Sequence, residues 1–210
     1  AVAADIPVLL VDTNIDGWDG ALTFIGTDNL SAGEQAGEFI TSQADSGEAL
    51  LISGVPGNPS TDDRVTGAKQ VLEDAGIDVV AELSGNSDRA EGRAVTADAL
   101  QANPDIRIIF AANDDMALGA TEAVKSAGLD PADFVIVGVD GTGDAVASIE
   151  PGELTGTVAQ NAYTMGETGV LEALKVLDGE TIEKRIDTGV TLVTADNAAD
   201  FAKQLADQEG

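Results

Sequence analysis

The feature of this chain that most constrains its fold is the regular return of short apolar runs that do not alternate. They are IPVLLVD (6–12), LTFIGT (22–27), EALLISG (48–54), IDVVAEL (77–83), IRIIFA (106–111), FVIVGVD (134–140), LTGTVAQ (154–160) and GVTLVT (189–194). Most are continuous in hydrophobicity, as strands covered on both faces are. The ends of four successive runs, at Gly54, Leu83, Phe110 and Val139, lie 29, 27 and 29 residues apart. That is the length of consecutive βαβ units, each crossing over to a parallel neighbour. Helical periodicity fills the gaps: Val65, Ala68, Val71, Leu72 and Ala75 share one face, and Met116, Ala120, Ala123, Val124 and Ala127 another. Gly76 and Gly128 follow as C-terminal stops. The chain therefore reads as an α/β protein with a doubly wound parallel sheet.

Two places break the rhythm. TNIDGWDGA (13–21) puts a Gly- and Asp-rich loop where a helix should connect two strands. Near the end, LTGTVAQ precedes a helix around Gly166, Val170, Ala173, Leu174 and Leu177, a polar turn (DGETIEK), a last strand and a short helix. Strands joined without helices suggest segments that leave one sheet for another.

Composition removes several functions. Apolar residues make up 43% of the chain but aromatics only 3%, so Ala, Val, Ile and Leu must build the core. There is no Cys and no His, which excludes disulfide frameworks, Cys-based metal sites and any imidazole-based nucleophilic catalysis. No metal site and no cofactor are expected, since no D-x-D-x-D-G loop is present and GVDGTGD (138–144) matches neither a dinucleotide fingerprint nor a phosphate loop. A formal charge of −28, from 38 acids against 10 bases, repels phosphate backbones and argues against nucleic acid as a partner. No run approaches the ~20 apolar residues of a membrane span.

Ligands of open parallel sheets bind beyond the carboxyl ends of the strands. There the chain places Asp12 and Thr13, the loop VPGNPSTDDR with Arg64, the loop GNSDR with Ser87, then Asn113, Asp140, and Gln160 with Asn161. Each alone reads as a turn or cap residue; together they read as a ligand cleft. Arg64 falls in the expected first turn of a helix, where a cation is disfavoured by roughly 0.3–1 kcal/mol. It either pairs with Asp62 or Asp63 at the surface or forks towards ligand oxygens. FAANDDMALGA (110–120) carries three polar residues where a cap needs one, so Asn113 is expected to face the ligand and Asp114 or Asp115 to serve the helix start. Only Arg64 and Arg89 lie near strand ends, too few bases for an anion, so a neutral sugar or polyol is the expected guest. Trp18 reads as loop packing rather than sugar stacking.

DNLSAGEQAG (28–37), FAANDDMALGA (110–120), IVGVDGTGDAV (136–146) and LTGTVAQN (154–161) resemble the periplasmic sugar-binding proteins of ABC importers, in the ribose- and galactose-binding group. The resemblance runs from about Ile6 to Leu205. It implies the type I periplasmic binding protein fold, two α/β lobes closing on a monosaccharide, with contacts carried here by Asp12, Arg64, Asn113, Asp140 and Gln160. Thr13 stands where ribose-binding members carry an Arg, and Ser87 near the place of an aromatic that covers the sugar, so the sugar need not be ribose. The resemblance also implies three βα units ahead of IPVLLVD. The expectation is thus a truncated form with an incomplete cleft: residues 1–24 and 159–186 a remnant of the N-terminal lobe, 25–158 and 187–210 the C-terminal lobe. It implies a binding protein and not an enzyme, a membrane permease as partner, and a periplasmic or extracellular location, lipid-anchored or secreted, with the signal segment not in this chain. A remnant lobe with a bare strand edge is expected to drive self-association. A lactose-repressor-like effector core shares the fold, but there paired aspartates usually replace Asp140-Gly141-Thr142 and Arg-Gln-Pro replaces Ala159-Gln160-Asn161.

Overall fold

The computed structural model describes residues 1–15 and 17–209; Asp16, in the loop between the first two apolar runs, lies outside the described residues. The chain forms two compact units, Ala1–Asp28 with Gln160–Val190, and Asn29–Ala159 with Thr191–Gly210.

The larger unit holds a sheet made from β3 (Glu48–Ser53), β4 (Asp78–Ser84), β5 (Ile106–Ala111), β6 (Val135–Asp140), β7 (Gly156–Gln160) and β9 (Val190–Thr194), in the order β4-β3-β5-β6-β7-β9. The first five run parallel. Their continuous apolar runs are there because helices cover both faces: Leu50, Leu51, Ile52, Ile109, Phe110, Ile136 and Val137 are fully buried. The run in β4 is only half-buried, as suits an edge strand. The connecting helices are α1 (Asn29–Gln43), α2 (Pro59–Asp74), α3 (Arg89–Ala102), α4 (Asp114–Ser126) and α5 (Gly143–Ile149), with α7 (Ala198–Glu209) closing the chain. Gly76 and Gly128 do end their helices, with φ of 85° and 78°, a conformation that costs glycine nothing. Glycine also sets the closeness of two helix pairs. A Cβ on Gly33 of α1 would lie 2.1 Å from the Arg64 carbonyl oxygen, and one on Gly119 of α4 2.2 Å from that of Arg89.

The strand order makes the sheet doubly wound. The chain steps from β3 outward to β4, then returns past β3 to β5 and proceeds through β6 to β7. The crossovers therefore diverge between β3 and β5, and the crevice at such a switch point is where ligands of these sheets bind.

The smaller unit contains β1 (Leu9–Val11), β2 (Thr23–Gly26) and β8 (Arg185–Asp187), parallel and in the order β1-β2-β8, with α6 (Ala162–Leu177) packed on β1 and β2. β8 lies just beyond the DGETIEK turn, in a stretch that reads as connection; three residues, two of them charged, carry no apolar signal. Phe24 and Ile25 on β2 are buried, and the Arg185 guanidinium stacks 5.0 Å above the Phe24 ring. Trp18 packs against Gly20, where a Cβ would meet its ring at 2.3 Å. On α6, Val170, Leu174 and Leu177 are 63%, 52% and 76% exposed, an apolar stripe at helical spacing.

Candidate functional site

Four of the candidate residues come together in the larger unit, at the carboxyl ends of its strands. Arg64 is the centre. The sequence pattern puts it in the first turn of its helix, but Asn58 caps α2, with its side chain accepting from the Ser60 and Thr61 amides, and Pro59 opens the helix. Arg64 is therefore in the second turn, past the strongest part of the helix dipole, and it points inward instead of towards Asp62 or Asp63. It is 5% exposed. Nε donates to Asn29 Oδ1 at 2.8 Å, and Nη1 donates both to the Ala112 carbonyl at 2.8 Å and to Asp140 Oδ1 at 2.9 Å. One guanidinium thus ties the start of α1 to the ends of β5 and β6.

Asn113, next after Ala112, is the N-cap of α4: its Oδ1 accepts from the Met116 amide at 3.0 Å. Its Nδ2 donates to the Ser87 carbonyl at 3.3 Å. Ser87 in turn lies against Gly54, where a Cβ would come within 2.7 Å of Ser87 Oγ; the loops after β3 and β4 meet because Gly54 has no side chain. The aspartates after Asn113 are therefore not needed as caps. Asp115 is exposed, while Asp114 is fully buried. Its Oδ1 accepts from Thr157 Oγ1 at 2.6 Å and its Oδ2 from the Thr142 amide at 2.7 Å. Burial pushes the Asp114 carboxyl up to about 6; the nearby Asp140 charge adds to this, and the bonds from Thr157 and Thr142 oppose it.

The remaining candidates stand in the smaller unit. Asp12 follows β1, donates its amide to the Ile25 carbonyl at 2.9 Å and accepts at Oδ2 from Thr13 Oγ1 at 3.0 Å. Gln160 ends β7 and accepts at Oε1 from Thr27 Oγ1 at 2.9 Å. Asp12 and Thr27 thus both lie at the carboxyl edge of the small parallel sheet.

Backbone strain marks the same positions. Among the described residues, five besides glycine have positive φ: Asp5, Asp12, Asn86, Ser87 and Asp140. Three of these are candidate site residues, and the φ of 134° at Asp140 is one that side-chain-bearing residues rarely adopt. Such conformations persist where the surroundings over-determine them, and they gather at ligand sites.

Sequence reasoning does not pick out Asn29, Asp114, Thr142 and Thr157 as parts of this site. Only Asp114 leaves a trace there, as an acid in excess of what a cap requires. Among the described residues no group of three or more His, Cys, Asp or Glu is placed to hold a metal, and no helix is long and apolar enough to cross a membrane.

A family described as periplasmic binding protein domain matches residues 1–181. The ribose import binding protein of Bacillus subtilis (strain 168) is 36% identical over 196 residues, covering 92% of this chain and 62% of that protein. That of Haemophilus influenzae is 34% identical over 190 residues, covering 90% and 64%. The chain thus spans somewhat less than two thirds of the length of these relatives. Among solved structures, an ABC transporter solute binding protein from Bacillus halodurans C-125, with bound myo-inositol, superimposes with a TM-score of 0.89 at 29% identity, covering 96% of this chain and 70% of that one.

Proposed function

The chain belongs to the periplasmic binding protein domain family, and on that premise we propose that it serves as the solute-binding component of an ABC sugar importer. Its guest is a neutral monosaccharide or polyol, held in a cleft between two lobes and released unchanged to a membrane permease. The observation that carries this is the Arg64–Asp140 pair, 2.9 Å apart, beside Asn113 and Ser87 at the switch point. Arg64 already spends its charge on Asp140, so an anion would find no surplus cation there. A pair of vicinal hydroxyls suits it: the carboxylate accepts, and amide and guanidinium donate, each charge-assisted bond contributing about 1.5–3 kcal/mol. The lobes are proposed at 1–24 with 159–186 and 25–158 with 187–210, a division that the two compact units support. Asp12, Thr13 and Gln160 are proposed to face the ligand from the first of these. The location that goes with this role is periplasmic or extracellular. Ligands named for relatives and structural neighbours, ribose and myo-inositol, are of the expected class.

A thermal-shift screen with D-ribose, D-allose and myo-inositol at millimolar concentration tests the proposal. A ligand at ~100 times its dissociation constant stabilises by about 2.7 kcal/mol. The expected result is a raised midpoint with one of them and none with its epimers; no shift with any neutral sugar or polyol would refute sugar binding by this chain. Self-association is proposed on the apolar stripe Val170, Leu174 and Leu177. Sedimentation at tens of micromolar should find dimers or larger species, and a clean monomer would reject it.

A further inference from the structure

We propose that Asp114 is a positioning residue for the ligand site: with Thr157 it holds the two backbone amides that follow Asp140, and so fixes the strained turn that aims the Asp140 carboxylate. The proposal rests on the reading of Asp140 as a ligand-facing group. Asp140 keeps a φ of 134°, and the amides of the next two residues are anchored in a way that holds the turn there. The Gly141 amide donates to Thr157 Oγ1 at 3.3 Å, and that hydroxyl donates to Asp114 Oδ1 at 2.6 Å. The Thr142 amide donates directly to Asp114 Oδ2 at 2.7 Å. One buried carboxylate therefore grips both amides, the first through a hydroxyl relay and the second by itself. Asp140 Oδ1, held at the head of this turn, meets Arg64 Nη1 at 2.9 Å.

The sequence around the latch is built for it. Gly138 on β6 leaves the space that Asp114 occupies, since a Cβ there would lie 2.4 Å from Asp114 Oδ1. Neither neighbouring helix needs Asp114 as a cap: Asn113 caps α4, and Thr142 Oγ1 caps α5 by accepting from the Ala145 amide at 3.3 Å. An ionised carboxylate is also the side chain this geometry requires, for it takes two donors and offers none. An asparagine has one acceptor oxygen for these two donors, so its NH2 group would face either the Thr142 amide, donor against donor, or Thr157 Oγ1, whose proton would then lose its acceptor. The charged group that faces Asp114 is Asp140 on β6, itself bound to Arg64 of α2. Thr157 of β7 and Thr142 ahead of α5 face it as neutral donors. On the side of α3, Arg89 is bound to Glu122 of α4 and lies 3.5 Å from Asp144 of α5. Burial is the main reason its proton is held to about pH 6, with the Asp140 charge adding to it against the opposing bonds from Thr157 and Thr142. A proton there turns one acceptor oxygen into a donor and opens the latch.

The test uses the ligand-free chain, labelled with nitrogen-15, and D-ribose, D-allose and myo-inositol as probes. The Gly141 and Thr142 amide resonances should titrate together with a midpoint near 6, and the titration should vanish in Asp114→Asn. Affinity for whichever probe binds should fall at least tenfold in Asp114→Asn and in Thr157→Val, be retained in Thr157→Ser, and weaken in the parent chain below pH 6. Amides that do not titrate, or variants that fold and bind with parental affinity, would overturn the proposal. If none of the probes binds the parent chain, the ligand reading has failed, and the amide titration alone decides whether the latch exists. Should Asp114→Asn fail to fold, the Thr157 pair carries the same comparison.

Discussion

Replacing Arg64 by methionine should cost the folded chain about 3 kcal/mol and abolish ligand binding. Methionine keeps most of the apolar stem, so what is lost is the polar head: the donor to Asn29, to the Ala112 carbonyl and to Asp140. Removing one partner of a buried ion pair costs roughly 3–5 kcal/mol, because the other charge stays behind uncompensated. Arg64 is 5% exposed but the Asp140 side chain 27%, so water relieves part of the penalty and the lower end of the range applies. A double substitution separates the two contributions. If the stranded carboxylate carries the cost, adding Asp140→Asn to Arg64→Met should restore a good part of the stability while binding stays absent. Denaturant unfolding reads the first quantity and calorimetric titration the second. An Arg64→Met chain as stable as the parent would show that the guanidinium is held in place by its surroundings without holding them.

The architecture is legible in the sequence because it is written in long-range composition. Strands buried on both faces must be apolar throughout, and βαβ units must have nearly constant length, so the order of elements in the larger unit follows from runs and spacings. β8 is not legible, since three residues supported by pairing to β2 need no hydrophobic pattern of their own. The site is half legible. Residues at strand ends can be picked by position, which is how Arg64, Asn113 and Asp140 are found. Their orientation depends on where a helix begins to within a residue or two. The cap at Asn58 lies far enough upstream to carry Arg64 from an exposed first turn into the interior. The same one-residue arithmetic makes Asn113 the cap and sends Asp114 inside. Asn29 and Thr157 escape sequence reasoning altogether, because each is joined to the site by contacts 35 and 43 residues away along the chain.

Asp114 should also leave a mark on stability, with a definite sign. Its carboxyl is raised from 3.8 to about 6 in the folded chain, so between those values the folded state holds a proton that the unfolded state has released. Stability must therefore decline as pH rises through that window, and the full penalty is present above pH 6. Each tenfold change in proton affinity is worth ~1.4 kcal/mol, which puts the penalty on the order of 3 kcal/mol. The chain's net charge of −28 works in the same direction, since acidification also relieves self-repulsion, so the raw profile does not isolate the residue. The difference between the parent and Asp114→Asn does, because every other acid is common to both. From pH 4 to pH 6.5 the variant should gain on the parent by about 2 kcal/mol, which is most of the whole change. A flat difference would mean that the buried carboxylate is not the titrating group. A difference that rises as expected would mean that the chain retains, at neutral pH, a charge that weakens its fold. The two amides behind Asp140 are what that charge holds, so removing it should relieve the pH-dependent penalty and harm the site.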